Sequence, residues 1–283
     1  MANPRKTGPR TLLVGISNPD TANHLVRLSA LVTREMPSEI LLTHVVTVAS
    51  QISLTTGQSS PEVVRARDFL QEVKARASDT GLRVRALVEI ARSVEEGLLA
   101  AAESHRAEMI LVGFSEKGAD EEDLGEEERF DRTMHRVARK SAADVVVAKF
   151  RGDRMRRVLV PVAAEARLQV TGLLCRALGA EEENSLTFLH VVESGASEEE
   201  ARARLTRLLE RKGVASLGPL VVVPSDTPVE TIVEEAAAYD LMVVGPSGRP
   251  GFLSTIFSNK AQRIAEEAPA SVLLAWNRTD AGG

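Results

Sequence analysis

The chain has 283 residues, 43% of them apolar and 3% aromatic, with a net charge of −5. That length fits two domains with real cores, and the apolar content excludes a fully disordered chain. No apolar run approaches the roughly 20 residues of a membrane span, and neither the charge nor the aromatic content favours a nucleic-acid surface.

Taken in chain order, Thr11-Leu-Leu-Val-Gly-Ile16 reads as a first strand, and Pro19-Asp20-Thr21 starts a helix whose inner face carries Leu25, Leu28 and Leu31. Ile40–Val46 is a second strand. Pro61 opens a second helix with Val64, Phe69, Leu70 and Val73 as candidate inward residues. Ser93 caps a third helix, Met109–Gly113 is a strand, Arg132–Lys140 is a last helix and Asp144–Ala148 a last strand. After the short basic stretch 152–156 the same order recurs. Arg157–Val162 repeats the first strand, and Leu186-Thr-Phe-Leu-His-Val-Val192 repeats Ile40-Leu-Leu-Thr-His-Val-Val46. Val229–Glu234, with Thr227 and Pro228 at its start, repeats the third helix. Leu241–Gly245 repeats Met109–Gly113, and Arg263–Ala275 repeats Arg136–Ala148, giving a last helix at Lys260–Glu267 and a last strand at Val272–Trp276. Five matches in register indicate an internal duplication. The apolar runs lack alternation, as strands buried on both faces do, so each copy is predicted to be a doubly wound α/β domain with a parallel sheet. The copies span residues 10–150 and 155–277.

Ligands of such sheets bind beyond the carboxyl ends of the strands, where the strand order switches. The loop to inspect in the second copy is Gly245-Pro-Ser-Gly248-Arg249-Pro-Gly251, running on to Ser258-Asn259 ahead of a helix. Glycines there let backbone N–H groups approach a phosphate, Arg249 adds positive charge, and Ser258 and Asn259 can donate at a helix N-terminus. The bland reading is a Gly/Pro-rich turn with a Ser/Asn cap. In the first copy Glu116 replaces the second glycine, Asp131-Arg132 close the loop, and residues 116–128 carry eight carboxylates. Their repulsion toward a phosphate argues against nucleotide there. That insert is expected to be exposed and poorly ordered.

Other residues read as structural. His44 and His190 occupy equivalent strand ends, and no two histidines have helical zinc spacing. Cys175, the sole cysteine, sits among leucines as a small buried hydrophobe and offers no disulfide. Gly-x-Ser-x-Gly, the P-loop and Gly-x-Gly-x-x-Gly are all missing, so no catalytic residue is assigned. The polar start Met1–Arg10 lacks a secretory apolar core, and with one cysteine the expected compartment is the cytoplasm.

With these segments the chain resembles a tandem universal stress protein, two such domains in one polypeptide. The resemblance rests on the first-strand run, Leu-His-Val-Val on the second strand, and the Gly-x-x-Gly loop before the last helix-strand unit. It implies the adenine-nucleotide α-hydrolase-like fold in both copies. Family members that bind ATP carry Gly-x-x-Gly, nine residues, then Gly-Ser or Gly-Thr. Here Gly245 and Gly248 match the pair, and Ser258-Asn259 stand in the last place. The family's aspartate after the first strand is replaced by Ser17 in the first copy and Ala163 in the second. The resemblance also places the adenine against the backbone just past the second-strand histidine, at Val191.

What it implies is a non-enzymatic stress-response or regulatory module. Its second copy would bind ATP weakly through Gly245, Gly248, Arg249, Ser258, Asn259 and Val191, with poor selectivity over GTP, the part of magnesium left open and no resident metal assigned. Two alternatives stand beside it: a nucleotide-free regulator like the paired domains on permease tails, with a protein partner, and a nucleotide-using enzyme of the same fold class. Weak ATP hydrolysis stays open. The family associates through its last strands, so Val145–Ala148 and Val272–Trp276 are the edges expected to pair inside the chain as a pseudo-dimer, with a homodimer as a further option.

Overall fold

Leu12, Leu13 and Val14 are consecutive and fully buried, and Val145 to Ala148 and Val272 to Trp276 are buried without a break. A strand can bury successive residues only if both its faces are covered. The computed structural model describes residues 10–51, 53, 55, 58–113, 126–163, 168–245 and 259–278, and in them this rule produces sheets covered by helices. The chain divides into two compact units, Met1–Ala143 and Asp144–Gly283.

The first unit contains β1 (Arg10–Gly15), α1 (Pro19–Glu35), β2 (Ser38–Thr47), α2 (Pro61–Ser78), β3 (Val84–Ala91), α3 (Val94–Ser104), β4 (Ala107–Gly113) and α4 (Glu126–Lys140). Its strands run parallel in the order β3-β2-β1-β4. The second contains β5 (Asp144–Lys149), β6 (Arg157–Pro161), α5 (Gln169–Gly179), β7 (Ser185–Val192), α6 (Glu198–Arg211) and a 3₁₀ turn at Ala215–Leu217. There follow β8 (Leu220–Pro224), α7 (Pro228–Ala236), β9 (Leu241–Val244), α8 (Asn259–Glu267) and β10 (Ser271–Trp276). Its order is β5-β10-β9-β6-β7-β8, parallel except for β5.

β5, the last strand of the first repeat, thus lies in the second unit. It pairs antiparallel with β10, from Val145 opposite Trp276 to Lys149 opposite Val272. The two apolar edges named from the sequence cover one another, which removes an exposed edge that would otherwise invite aggregation.

Local chemistry explains the helix starts. Asn18 caps α1 by accepting the Asp20 N–H, Ser60 accepts the Val63 N–H, and Ser93 accepts the Glu96 N–H. Thr227 precedes α7 but makes no side-chain cap; its own N–H donates to Ser225 Oγ instead, while Pro228 supplies the first turn.

Three expectations need correction. On α2 the inward residues are Val63, Ala66, Leu70, Val73 and Ala77, whereas Val64 is 47% exposed. Leu70 and Val73 lie inward as expected, but Val64 is one position past Val63 and so about 100° off the buried face. Phe69 is half-buried and meets His44 edge-on. α4 begins at Glu126, six residues before the expected Arg132, so Glu126–Glu128 belong to a helix; the rest of the acidic insert, 116–125, lies outside the described residues.

Candidate functional site

The strand order switches beside β1 in the first unit and beside β6 in the second, because their crossovers go to opposite sides. At the carboxyl ends of β6, β7 and β9 the described backbone comprises Val162-Ala163, Val191 and Gly245.

A strand residue points its N–H and C=O to one side, and successive residues alternate. The Leu189 carbonyl accepts the Val162 N–H at 2.8 Å, so Leu189 faces β6. The Phe188 N–H donates to Pro219 C=O at 2.9 Å and the Val192 C=O accepts the Ser225 N–H at 2.7 Å, so these two face β8. Val191 therefore directs its backbone toward β6, but past the end of that strand at Pro161. Its N–H and C=O open on the crevice. The first unit repeats this at Val45: Thr43 C=O accepts the Ile16 N–H at 2.8 Å, while Ile40 and Val48 donate to the β3 side.

The histidine before each valine turns back to the strand-one loop. His190 Nδ1 lies 2.7 Å from the Val162 carbonyl, and His44 Nδ1 lies 2.8 Å from the Ile16 carbonyl. A carbonyl only accepts, so Nδ1 carries the proton in both rings. Burial lowers the pKa of each histidine, opposed by this hydrogen bond; nearby Arg204 lowers that of His190 further. Both shifts favour the neutral ring.

The first glycine of the loop has a packing reason of its own. A Cβ on Gly245 would stand 2.3 Å from Thr171 Oγ1, a contact no side chain tolerates. The equivalent Gly113 faces Leu25 Cδ1 at 3.1 Å and Thr21 Oγ1 at 3.3 Å. Thr21 and Thr171 each stand in the first turn of the helix following strand one. They differ in what their hydroxyls do. Thr21 Oγ1 donates to the Asn18 carbonyl. Thr171 is 1% exposed, and its hydroxyl has no partner among the described residues. α5 also lacks a side-chain cap of its own at Leu168; the Val170 N–H donates instead to Oδ1 of the buried Asn277, just past β10, at 3.0 Å.

The helix that follows the loop is fastened in both units. Glu95 of α3 accepts from Arg136 at 2.7 Å and Lys140 at 2.6 Å of α4, and Glu230 of α7 accepts from Arg263 of α8 at 3.0 Å. Glu95 and Glu230 are equivalent in the repeat, as are Arg136 and Arg263.

Of the residues expected to hold nucleotide, Val191 and Gly245 lie at strand ends of the second unit, and Asn259 opens α8. Gly248, Arg249 and Ser258 lie outside the described residues. Ser17 and Ala163, where the family's aspartate would stand, are both exposed. Among the described residues no cluster of three His, Cys, Asp or Glu could hold a metal, and no helix is long and apolar enough to cross a membrane. Cys175 is buried and its thiol pKa is pushed up to about 12 by desolvation. Thr171 and Asn277 were not singled out in the sequence; their significance depends on the approach of segments far apart in the chain.

The sequence profile of the universal stress protein family matches residues 9–149 and again 155–275. Comparison with curated proteins gave no match. Among solved structures, a functionally unknown protein from Pseudomonas aeruginosa is similar over 96% of this chain and 94% of its own, at 12% identity and a TM-score of 0.64. A universal stress protein from Archaeoglobus fulgidus is similar over 94% of this chain and 96% of its own, at 16% identity and a TM-score of 0.59. At such identities these two similarities establish the fold, while the doubled profile match covers nearly the whole chain: it belongs to the universal stress protein family, as two domains in tandem.

Proposed function

We propose that this chain is a non-enzymatic regulatory module whose second domain binds an adenine nucleotide. The observation that carries the reading is the Val191 backbone, which presents an N–H donor and a C=O acceptor beyond the end of β6. Adenine offers a complementary acceptor at N1 and donor at its amino group. Guanine offers the reverse, a donor at N1 and an acceptor at O6. With Ala163 in place of the carboxylate, any preference for adenine over guanine rests on this backbone pair alone. The phosphates would lie toward Gly245, Gly248 and Arg249 and the N-terminus of α8 at Asn259, where helix N–H groups favour an anion. The first domain keeps the Val45 edge but has Glu116 and its acidic run in place of the second glycine, so it is expected to stay empty. No general base or nucleophile is positioned beside the Val191 edge in the described residues, which favours binding over catalysis.

The test is thermal unfolding of the full chain with ATP and magnesium. If Kd is about 0.1 mM, roughly 10 mM ligand stabilises the binding domain by about 2.7 kcal/mol. GTP should stabilise less, and Gly248→Glu should abolish the shift. No stabilisation by either nucleotide would favour a nucleotide-free regulator acting through a protein partner.

A further inference from the structure

A parallel ladder has a fixed sequence of rungs. When the Val162 N–H bonds the Leu189 carbonyl, the next rung runs from the Val191 N–H back to the Val162 carbonyl. The first of these bonds is present at 2.8 Å, and the second is not among the backbone hydrogen bonds of the described residues. The Val162 carbonyl is engaged instead by His190 Nδ1 at 2.7 Å. The same substitution occurs in the first domain: Ile16 N–H bonds Thr43 C=O, the rung from Val45 N–H to Ile16 C=O is absent among the described residues, and His44 Nδ1 holds that carbonyl at 2.8 Å. Two copies at 146-residue separation in the sequence (44 to 190) make the same exchange of donor.

We propose that His190 is a positioning residue that unzips the last rung of the sheet: its Nδ1–H takes the Val162 carbonyl, and the Val191 N–H and C=O are thereby held open as an edge for a planar hydrogen-bonding ring. His44 does the same for Val45. The inference rests on the nucleotide reading only for the identity of the ring; the opening of the edge is a property of the fold. Without the imidazole, the Val162 carbonyl would need another donor, and the nearest by register is the Val191 amide itself. Closing that rung would consume the donor that an adenine N1 requires. The imidazole thus sustains a gap in the ladder while leaving no carbonyl unsatisfied.

Amide hydrogen exchange followed by NMR on the full chain tests this without nucleotide. In the wild type the Val191 and Val45 amides should exchange at least about tenfold faster than the ladder amide of Leu189. The imidazole nitrogen spectrum should show both rings protonated at Nδ1. In His190→Leu the Val191 amide should become protected while Val45 is unchanged, and AMP affinity should fall about tenfold, one hydrogen bond's worth. His190→Asn, whose side-chain amide can donate in place of Nδ1–H, should restore both. A Val191 amide as protected as Leu189 in the wild type, or protonation at Nε2, overturns the proposal even if His190→Leu fails to fold. So does His190→Leu protein that binds AMP as tightly as wild type. Fast Val191 exchange in a wild type that binds no AMP would refute the nucleotide reading and leave the opened edge standing.

Discussion

Replacing Gly245 by Ala separates packing from ligand binding at the first position of the glycine loop. The new methyl would be centred 2.3 Å from Thr171 Oγ1, 3.4 Å from Thr171 Cβ and 3.7 Å from Thr171 Cγ2. All three belong to one buried side chain at the start of α5, so relief requires that helix or the end of β9 to shift. Overpacking of this kind costs about 1–3 kcal/mol, and the lost freedom of the unfolded chain returns about 0.4–1 kcal/mol. The net is a destabilisation of about 1–2 kcal/mol, or roughly 2–8 °C in melting temperature for a unit of this size. At Gly113 the nearest atom is a flexible Leu25 methyl at 3.1 Å, so Gly113→Ala should change stability by less than about 0.5 kcal/mol. Urea unfolding of both single variants, and of Gly245→Ala combined with Thr171→Ala, measures the coupling. Removing the threonine side chain should recover about 1 kcal/mol or more relative to the sum of the single changes. Equal costs at the two glycines, or no recovery in the double variant, would refute the argument that Thr171 dictates glycine at 245.

Thr171→Val should stabilise the protein by about 1 kcal/mol in the same assay, because a buried hydroxyl without a partner among the described residues gives way to a methyl. Glu95→Gln should cost about 1 kcal/mol and make unfolding less sensitive to salt, since Arg136 and Lys140 both lose their anion; Glu230→Gln, which leaves Arg263 its second partner Glu267, should cost less. The folded state lowers the pKa of His44 and His190 below the ordinary 6.5, so between those values the unfolded chain binds more protons. Stability should therefore be full above about pH 6.5 and fall as the pH drops below it, and the double change to Asn should flatten that decline in denaturant midpoints. The Cys175 thiol, with its pKa near 12 and its side chain buried, should resist thiol reagents in the native protein and react on unfolding.

The duplication was legible because burial on both faces leaves an unmistakable mark: Val145–Ala148 and Val272–Trp276 are apolar throughout, and that pattern survives sequence divergence. Helix existence was legible for the same reason, and the face of α2 is read correctly at Leu70 and Val73 but misplaced at Val64, whose chemically identical neighbour Val63 is the one that lies two turns before Leu70 and shares its face. The opened edge at Val191 was named only through resemblance. Its cause depends on which of two neighbouring residues faces β6, and the parity of a strand emerges from register, not from composition. Thr171, Asn277 and Gly245 come together from three separate segments, so no local window contains their relation. Repeat alignment puts Glu95 with Glu230 and Arg136 with Arg263 in equivalent places, but that they pair depends on helices brought side by side by the fold.

The central claim, that the second domain holds an adenine nucleotide on the Val191 backbone, is tested most directly by titrating ATP and magnesium into the isotope-labelled full chain and following backbone amides by NMR. The account predicts a saturable shift centred on the Val191 amide, with Gly245 also moving and Val45 fixed, and loss of that shift in Gly248→Glu. Saturable binding that leaves Val191 unmoved, or shifts of Val45 equal to those of Val191, would contradict it.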